Sequence, residues 1–319
     1  MCASGDRDEL RRPPTISVVI TCYNHARFLA EAIESALAQT RAAAEVVVVD
    51  DGSSDDSASV AARYPAVRFI SQRNAGVADA RNTGWRACRG DYVVFLDGDD
   101  RLLPGALDVG ARCLENHPEC AFVFGRCQRI GADGAVLGPE PWPRVDHDHY
   151  RHLLLDNYIW MPATVMYRRT ALEMADGFAP DRDHACDYDL YLRLTRMRPV
   201  FCHGEIVAEW RLHGSNVSNN AAVMLRSTLG TYRRQRRHVK TDPALMEAYR
   251  RGRRFWEDRY GNAAFESLRA YLERAELVPA AAVMLALLRY SPRVVVDRAR
   301  RWLARVRATS NADVRNDRR

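Results

Sequence analysis

Apolar runs and amphipathic segments alternate along the first part of the chain. Strands are predicted over 15–21, 45–49, 67–71 and 92–96, where apolar residues cluster and turn residues follow. Between the first two strands, apolar residues recur every three to four positions over 25–39, which is the spacing of an amphipathic helix. Strands of this composition that alternate with helices are typical of a parallel sheet covered on both faces. The pattern therefore predicts an α/β fold.

The predicted elements are less regular after residue 104. A helix is predicted over 104–116, strands over 121–125, 163–169 and 207–213, and a helix from Asp187 onward. Residues 126–163 have poor periodicity and are rich in Pro, Gly, His and aromatic residues, which predicts a long solvated loop of the kind that covers a binding site. Three histidines in that stretch, His147, His149 and His152, have neither cysteine partners nor i, i+4 spacing, so a zinc site is disfavoured.

Acidic residues gather where two of the predicted strands end. Asp50 and Asp51 follow the second strand, and Asp97, Asp99 and Asp100 follow the fourth. The carboxyl ends of parallel strands meet at the edge where open α/β sheets bind ligands. Like charges this close repel one another, so a divalent cation that prefers oxygen, Mg²⁺ or Mn²⁺, would stabilise them. The competing interpretation is a polar Asp-Gly turn that caps the next helix.

Two common nucleotide-binding motifs are missing from the sequence. The chain has neither a Gly-x-Gly-x-x-Gly fingerprint nor a Walker lysine, and its single lysine is Lys240. A dinucleotide dehydrogenase, a P-loop ATPase and a nucleotidyltransferase that makes sugar nucleotides are therefore disfavoured. A small-residue segment before the fourth strand carries Arg81. We expect this arginine to meet a phosphate or to pair with an aspartate at the sheet edge, and the alternative is an ordinary exposed arginine.

Three motifs together resemble the family 2 glycosyltransferases of GT-A fold. They are Val-Val-Asp50-Asp51-Gly-Ser-Ser-Asp, then Asn-x-Gly-x-x-x-Ala-Arg81-Asn-x-Gly, then Gly-Asp-Tyr-x-x-Phe-Leu-Asp97-x-Asp99-Asp. Their order and spacing match the family, and the resemblance covers roughly residues 15–215. It implies a Rossmann-like, mixed and mostly parallel sheet between helices. It also implies an enzyme that takes a sugar from a nucleotide diphosphate sugar with inversion at the anomeric carbon.

The resemblance also implies roles for individual residues of the sheet edge. Thr21 and Asp51 resemble the contacts to the nucleotide base, and Tyr23 matches an aromatic residue beside that base. Arg81 matches a position near the nucleotide. Asp97 and Asp99 are similar to the Asp-x-Asp pair that holds the ribose and the metal-bound diphosphate. The metal is expected to be Mn²⁺ or Mg²⁺, with Asp99 as a ligand.

Two further residues follow from the resemblance later in the chain. The segment Cys186-Asp187-Tyr-Asp189 is similar to the family's Glu-Asp-x-Asp, whose second acidic residue is the general base, here Asp187. Cys186 departs from the pattern. His213 matches a histidine that approaches the metal or the diphosphate, although a lone histidine is more often structural. Arg211 is a weaker candidate for a phosphate contact.

Charge divides the chain unevenly. The net charge of the whole sequence is +6, yet residues 220–319 hold 23 basic against 10 acidic residues. We therefore predict a polar, disordered tail over 1–14, a catalytic domain over 15–219 and a basic helical region over 220–319. Such a basic region favours an anionic partner.

A basic amphipathic helix is predicted over 294–307. Its composition suits either a helix on a membrane surface or a helix packed in a bundle with a solvated arginine face, and the sequence leaves both open. No motif for nucleic-acid binding accompanies the charge. The eight cysteines have no C-x-x-C spacing, which predicts reduced thiols. With no signal peptide or apolar run of spanning length, we expect a cytoplasmic protein, either free or peripheral on the inner face of the membrane.

The sequence therefore predicts an inverting, metal-dependent glycosyltransferase of hexosyl type. Its donor would be a nucleotide diphosphate sugar, and its acceptor a hydroxyl of a glycan, a lipid-linked sugar or another molecule. The expected context is the synthesis of a cell-surface polysaccharide or glycoconjugate. The alternative is a non-catalytic protein of the same fold that binds sugar nucleotides, and the acidic residues Asp97, Asp99 and Asp187 argue against it.

Overall fold

The computed structural model describes residues 12–179, 184–214 and 216–301. The strands in these ranges are β1 (Ile16–Cys22), β2 (Glu45–Asp50), β3 (Val67–Ser71), β4 (Tyr92–Asp97), β5 (Arg101–Leu102), β6 (Phe122–Ile130), β7 (Val136–Pro139), β8 (Val165–Arg168) and β9 (Val200–Arg211). The helices are α1 (Ala26–Leu37), α2 (Ser57–Ala61), α3 (Val77–Ala87), α4 (Ala106–Asn116), α5 (His149–Leu155), α6 (Arg169–Met174), α7 (Cys186–Met197), α8 (Ala221–Val239), α9 (Pro243–Glu273), α10 (Leu277–Tyr290) and α11 (Pro292–Arg301).

The nine strands form one mixed sheet in the order β3-β2-β1-β4-β8-β6-β9-β5, with β7 paired to β6. Strands β1 to β4 are parallel, and β8 runs antiparallel between β4 and β6. Strand β9 is parallel to β6, whereas β5 and β7 are antiparallel to their neighbours. Six strands therefore point one way and three the other, so the predicted α/β fold with a mixed, mostly parallel sheet is confirmed.

Both faces of β1, β2 and β4 are buried, whereas β3 at the edge of the sheet is largely exposed. Val18 and Ile20 of β1 pack with Leu29 and Ile33 of α1 in one apolar cluster. Val19, which points to the opposite face, lies against α3. This two-sided burial explains why the strands read as nearly continuous apolar runs.

A glycine brings α3 close to the sheet. A Cβ built on Gly84 would lie 2.2 Å from Val19 Cγ1 and 3.2 Å from Val49 Cγ2. Only a hydrogen atom fits there, so the helix can pack directly on β1 and β2. Arg81, which lies one turn earlier on the same helix, is thereby carried to the ends of these strands.

The prediction of a long solvated loop over 126–163 is wrong for much of that stretch. Strand β6 continues to residue 130 because it pairs with β9 on one side and β7 on the other. Helix α5 occupies part of the remainder. His149 is buried, and its Nδ1 lies 2.7 Å from the hydroxyl of Tyr158. Strand β9 also begins earlier than predicted, and it ends at Arg211, so His213 lies beyond it. Long-range pairing supplies order that the local sequence does not indicate.

The described cysteines are free thiols, as the sequence predicts. Five of them are buried, namely Cys22, Cys88, Cys120, Cys127 and Cys186. Burial raises the pKa of several of these thiols, and that of Cys120 rises to about 12. Thiols that stay protonated at neutral pH behave as small apolar side chains, which fits their places in the interior.

The chain divides into two compact units. Within the described residues, the first unit holds the sheet and comprises 12–149, 158–179 and 193–212, and the second comprises 150–157, 184–192, 213–214 and 216–301. In the second unit, Asp242 caps α9 by accepting hydrogen bonds from the N–H groups of Ala244 and Leu245. The predicted boundaries at 14 and 219 stay a prediction, and residues 1–11 lie outside the described ranges.

Aromatic residues form the interior of the second unit. Tyr188, Tyr232 and Trp256 are buried. The ring centroid of Tyr188 lies 6.2 Å from that of Tyr232 and 6.2 Å from that of Trp256. The Tyr232 hydroxyl donates a hydrogen bond of 2.6 Å to the carbonyl of Leu154. Gly252 lies where any Cβ would collide with that same carbonyl oxygen. The long helices therefore pack around a buried aromatic cluster.

Helix α11 covers the described part of the helix predicted over 294–307. Its Val294 is buried, and its Arg298 pairs with Glu266 of α9 at 2.9 Å. Residues 302–307 lie outside the described ranges. Among the helices that the structure describes, none alone is long and apolar enough to cross a bilayer. The pair α10 and α11 meets that length and composition jointly, across a bend of 107°.

The contact at Gly84 yields a stability prediction. Gly84→Ala should lower the free energy of unfolding by about 1–3 kcal/mol, because the added methyl group overpacks the interface between α3 and β1. In a Val19→Ala background the same change should be close to neutral, since the colliding methyl group is gone. Urea unfolding of the four proteins measures the coupling.

Gly110→Ala is the matched control for that experiment. Its added Cβ would meet the flexible end of Met166, with Cε at 2.9 Å, which can move aside. We expect a smaller loss than at Gly84. Equal losses at both glycines, or no rescue by Val19→Ala, would contradict the close packing of α3.

Candidate functional site

Three adjacent parallel strands end at one edge of the sheet. In the register of β1, Thr21 pairs with Asp97 of β4, and Cys22 pairs with Asp50 of β2. The strand ends are therefore level, and the residues that follow them leave the sheet together. Asp51 follows β2 and Asp99 follows β4 in the chain. The predicted gathering of acidic residues at this edge is what the register produces.

Arg81 binds Asp97 rather than standing exposed. Its Nη2 donates to Oδ1 and Oδ2 of Asp97 at 2.9 and 3.2 Å, and the Thr21 hydroxyl donates to Oδ1 at 2.9 Å. The Arg81 side chain is 5% exposed, and the ring of Phe178 lies 5.5 Å from its guanidinium carbon. Of the two roles expected for Arg81, the structure shows the pairing with an aspartate.

Asp97 keeps its negative charge because of these partners. Burial acts to raise the pKa of Asp97, but the charge of Arg81 and the hydrogen bonds from Arg81 and Thr21 outweigh it. The net effect is a lowered pKa. Thr21, Arg81 and Asp97 thus form one hydrogen-bonded group at the edge of the sheet.

Asp51 fixes the loop that precedes α3. Its Oδ1 accepts hydrogen bonds from Gln72 Nε2 at 2.7 Å and from the Ala75 N–H at 2.9 Å, and its Oδ2 accepts from the Gly76 N–H at 2.8 Å. The residue is buried. The structure therefore gives Asp51 a positioning function in the loop, and its predicted contact with a nucleotide base stays a prediction.

Tyr23 offers an exposed aromatic ring beside these residues. Tyr23 directly follows β1 in the chain, and the residue is 48% exposed. The next residue, Asn24, has a left-handed backbone with φ of 56°, and its N–H donates to the Ser53 hydroxyl while its Oδ1 accepts from the Ser54 N–H. The loops after β1 and β2 are thereby joined. An exposed ring on a fixed turn suits stacking against a planar ligand.

Asp99 and Asp100 complete the acidic turn after β4. The Asp99 side chain is 11% exposed, and its Oδ2 lies 3.8 Å from Nε2 of His25. Asp100 is buried and accepts a hydrogen bond of 2.8 Å from the Arg211 N–H. Burial, together with the negative charges of Asp99 and Asp97, raises the pKa of Asp100 well above its usual range. The turn therefore has a strongly negative potential.

Arg211 has a structural role that the sequence does not predict, since the sequence indicates it only as a weaker candidate for a phosphate contact. It is fully buried at the end of β9, and its Nε donates 2.7 Å to the carbonyl oxygen of Asp99. Its Nη2 donates 2.7 Å to Glu31, and its guanidinium carbon lies 4.8 Å from the Phe28 ring. These bonds fix the backbone of the acidic turn. An arginine among apolar strand residues was the available signal, since such a residue needs buried partners.

The chemistry of this turn fits a divalent cation. Mg²⁺ and Mn²⁺ prefer carboxylate oxygens, which Asp99 and its neighbours supply. Burial is the main cause of the raised pKa of Asp100, and repulsion from the negative charges of Asp99 and Asp97 adds to it. A divalent cation at Asp99 would offset that repulsion. The residues present are therefore a suitable set for the metal that the sequence predicts.

The second unit contains the acidic pair at the start of α7. Asp187 lies in the first turn, where its Oδ1 accepts a hydrogen bond of 2.8 Å from the Tyr188 N–H. Asp189 is 1% exposed and pairs with Arg234, with Nε 3.0 Å from its Oδ1. Cys186, which departs from the family pattern, is buried. Asp189 is thus held in the interior of the unit, whereas Asp187 is only partly buried.

His213 also belongs to the second unit. Its N–H donates 2.5 Å to Asn216 Oδ1, and its carbonyl accepts 3.1 Å from Asn219 Nδ2. The backbone of His213 is therefore held in a defined turn. The structure brings Thr21, Arg81 and Asp97 together and places Asp51, Asp99 and Tyr23 after neighbouring strands of the first unit. The roles predicted for Asp187 and His213 stay predictions.

The chain is similar to several known proteins over the part that contains these motifs. A profile described as "Glycosyl transferase family 2" matches residues 17–174. Chondroitin synthase of Escherichia coli is 33% identical over 214 residues, which are 66% of this chain and 30% of that protein. An uncharacterized glycosyltransferase of Nostoc sp. is 44% identical over 217 residues, which are 65% of this chain and 67% of that protein.

Hyaluronan synthase of Pasteurella multocida is 28% identical over 214 residues, which are 66% of this chain and 22% of that protein. The chain thus spans less than a third of the length of the two named synthases. Among solved structures, the mannosyltransferase PcManGT from Pyrobaculum calidifontis, in complex with GDP-Man and Mn²⁺, has a TM-score of 0.58 at 21% identity. That likeness covers 88% of this chain and 82% of the other, and it supports a GT-A fold.

The pair Arg81–Asp97 yields a second stability prediction. Asp97→Ala should lower the free energy of unfolding by about 2–3 kcal/mol, because it removes the partner of a buried cation. Adding Arg81→Leu should cost less than the sum of the two single changes. The four unfolding curves in urea give the coupling free energy.

An exposed pair of the same chemistry is the control. Arg112 and Asp108 of α4 lie 2.6 Å apart, with side chains 64% and 33% exposed. Asp108→Ala should change the stability by less than about 0.5 kcal/mol, since solvent screens this pair. If the two aspartate variants lost equal stability, the burial argument for Arg81 would be wrong.

Proposed function

Because the chain belongs to glycosyltransferase family 2, we propose that it is an inverting, metal-dependent hexosyltransferase that uses a nucleotide diphosphate sugar. The observation that carries this proposal is the group of carboxylates at the end of β4, Asp97, Asp99 and Asp100, held by Arg81 and Arg211. Such a group suits a metal-bound diphosphate better than a direct contact with an anionic ligand. The complexes named for similar folds, with UDP-GlcNAc for S. aureus TarS and GDP-Man for PcManGT, support this class of donor.

We assign the metal to Asp99, with His213 as a second candidate ligand. When bound, Mn²⁺ or Mg²⁺ would neutralise negative charge that develops on the departing nucleoside diphosphate. Asp97, already bonded to Arg81 and Thr21, is suited to accept a hydrogen bond from a ribose hydroxyl. Tyr23 is suited to stack on the base.

Asp187 is the proposed general base. Its carboxylate would take the proton from an acceptor hydroxyl while that oxygen forms its bond to the anomeric carbon. The bond from the anomeric carbon to the phosphate oxygen breaks in the same step, and the electron pair leaves with the nucleoside diphosphate. Attack from the side opposite the leaving group inverts the configuration. Asp189 is a poor candidate for this role, because its carboxylate is buried and paired with Arg234.

The acceptor is proposed to be a growing polysaccharide or glycoconjugate. This proposal rests on the names of two relatives, chondroitin synthase and hyaluronan synthase. The chain spans less than a third of those proteins, so the likeness is limited to the part of each synthase that aligns with it.

A peripheral location at the inner face of a membrane completes the proposal. The basic surplus of residues 220–319, 23 basic against 10 acidic residues, supports attraction to anionic lipid headgroups. A lipid-linked acceptor would be presented at such a surface. Location and acceptor are separate parts of the proposal and can fail separately.

The role of Asp187 predicts a loss of rate with retained donor binding. Asp187→Asn should slow sugar transfer by at least about a hundredfold, because the amide cannot take the acceptor proton. The donor would first be chosen from a panel that includes UDP-GlcNAc and GDP-Man, by thermal shift with Mn²⁺. Product formation and donor affinity are then measured on both proteins.

Asp108→Asn is the matched control, since Asp108 also lies in the first turn of a helix. It should transfer at the parent rate. A normal rate for Asp187→Asn would remove Asp187 as the base. Donor binding by the parent protein without transfer to any acceptor would favour the non-catalytic alternative.

The role of Asp99 predicts a loss of metal-dependent binding. Asp99→Ala should weaken nucleotide binding in the presence of Mn²⁺ by more than about tenfold, the loss expected even for changes around a metal ligand. Calorimetric titration with UDP or GDP, with Mn²⁺ and with a chelator, measures the effect. The variant and the parent should bind alike in the chelator. Unchanged affinity with Mn²⁺ would reject the metal role.

A further inference from the structure

Helix α10 presents an exposed apolar stripe. Leu277, Val278, Leu285 and Leu288 are exposed by 68%, 84%, 68% and 52%. Ala281 and Ala282, also exposed, lie between them at helical spacing, and residues 277–288 contain no charged or hydrogen-bonding side chain. Single exposed leucines are common on soluble proteins, but a continuous stripe of this kind marks a surface that is covered by a partner.

The opposite side of α10 is already covered. Ala280, Val283 and Leu287 are buried, and the helix packs on α8 and α9 of the same unit. The stripe is therefore not the inner face of a bundle helix. Its side chains point to solvent while the rest of the helix is anchored, which is the arrangement of a helix with one face available for docking.

Basic and aromatic residues border the stripe. Residues 274–301 contain six arginines against two acidic residues. Arg274 and Arg293 share their charge with Glu276 and Asp297. Arg289 follows the stripe directly, with its guanidinium carbon 5.6 Å from the ring of Tyr290. An apolar face bordered by arginines and a tyrosine is the composition of a helix that lies in a lipid–water interface.

We propose that the outward face of α10 docks on an anionic lipid bilayer, with Leu277, Val278, Leu285 and Leu288 among the acyl chains and Arg289 at the headgroups. This inference deepens the peripheral location proposed above and assigns it to a defined surface. The apolar side chains supply the burial, and the arginines supply the preference for anionic lipid. The helix lies along the membrane, because its other face remains packed on α8 and α9.

A lipid partner accounts for the charges better than a second copy of the chain. A symmetric dimer across α10 would place identical surfaces face to face and bring the arginines that border the stripe close to one another. Like charges at the rim of an apolar contact oppose association. Anionic headgroups turn the same arginines into a favourable contribution.

The test is sedimentation of the full chain with vesicles. The chain should bind vesicles of phosphatidylcholine with about 30% phosphatidylglycerol more tightly than vesicles of pure phosphatidylcholine, because anionic headgroups attract the arginines. The double variant Val278→Glu, Leu285→Glu should bind the anionic vesicles at least about tenfold more weakly. Both replaced residues are exposed, so circular dichroism and thermal melting should match those of the parent.

The matched control is Val136→Glu, Leu137→Glu on strand β7. These residues are 60% and 55% exposed, and the residue types and the change in charge are the same as in the α10 variant. The control should bind vesicles like the parent. Equal weakening of both variants would show that charge alone drives binding, and it would overturn the assignment to α10.

Two other outcomes would also overturn the proposal. One is a parent chain that sediments with neither vesicle. The other is a parent chain that is dimeric in solution and becomes monomeric only in the α10 variant, which would assign the stripe to a second copy. Transfer to a soluble acceptor is measured in parallel. Normal transfer without vesicle binding would reject the membrane surface and leave the transferase assignment intact. Vesicle binding without transfer would support the membrane surface and reject the transferase assignment.

Discussion

Repulsion among carboxylates at the end of β4 is the constraint around which the first unit is arranged. Asp97, Asp99 and Asp100 lie within four residues, and their negative charges repel one another. Two arginines from distant parts of the sequence stabilise these carboxylates. Arg81 binds the carboxylate of Asp97. Arg211 binds the carbonyl oxygen of Asp99 and, through its N–H, the carboxylate of Asp100.

The two arginines leave the charge of the turn unevenly offset. Asp97 has a lowered pKa because Arg81 and Thr21 bind its carboxylate directly. Asp100 has a raised pKa, because its burial and the negative charges of Asp99 and Asp97 outweigh the hydrogen bond from the Arg211 N–H and the charge of that arginine. A divalent cation bound by Asp99 would supply the positive charge that the protein itself does not. Metal binding and the stability of this turn would then be coupled, because both depend on the same repulsion among the carboxylates.

The sequence was informative where order is local. Apolar runs predicted β1, β2 and β4, four-residue recurrence predicted α1, and the strand ends predicted where the acidic residues would gather. It failed where order comes from pairing across the chain. Nothing near Arg126 indicates that β6 continues to Ile130, because β7 and β9 supply the hydrogen bonds. The sequence indicates only a weak phosphate contact for Arg211. Its structural role is not predictable locally, because its partners Glu31 and Asp99 are more than a hundred residues away.

The C-terminal helices also show that contacts between distant segments decide what the local sequence does not indicate. The alternation of arginine and apolar residues predicts a basic amphipathic helix over 294–307. In the described part of that helix, Val294 is buried and Arg298 pairs with Glu266. Residues 277–288 contain no charge, a composition that an interior helix also has. Burial distinguishes the two helices: α10 keeps Leu277, Val278, Leu285 and Leu288 exposed, and α11 uses an arginine to pack. Composition alone cannot distinguish a core helix from an interfacial one, because both are apolar. The difference lies in which neighbours cover each face, and that is set by α8 and α9 rather than by α10 itself.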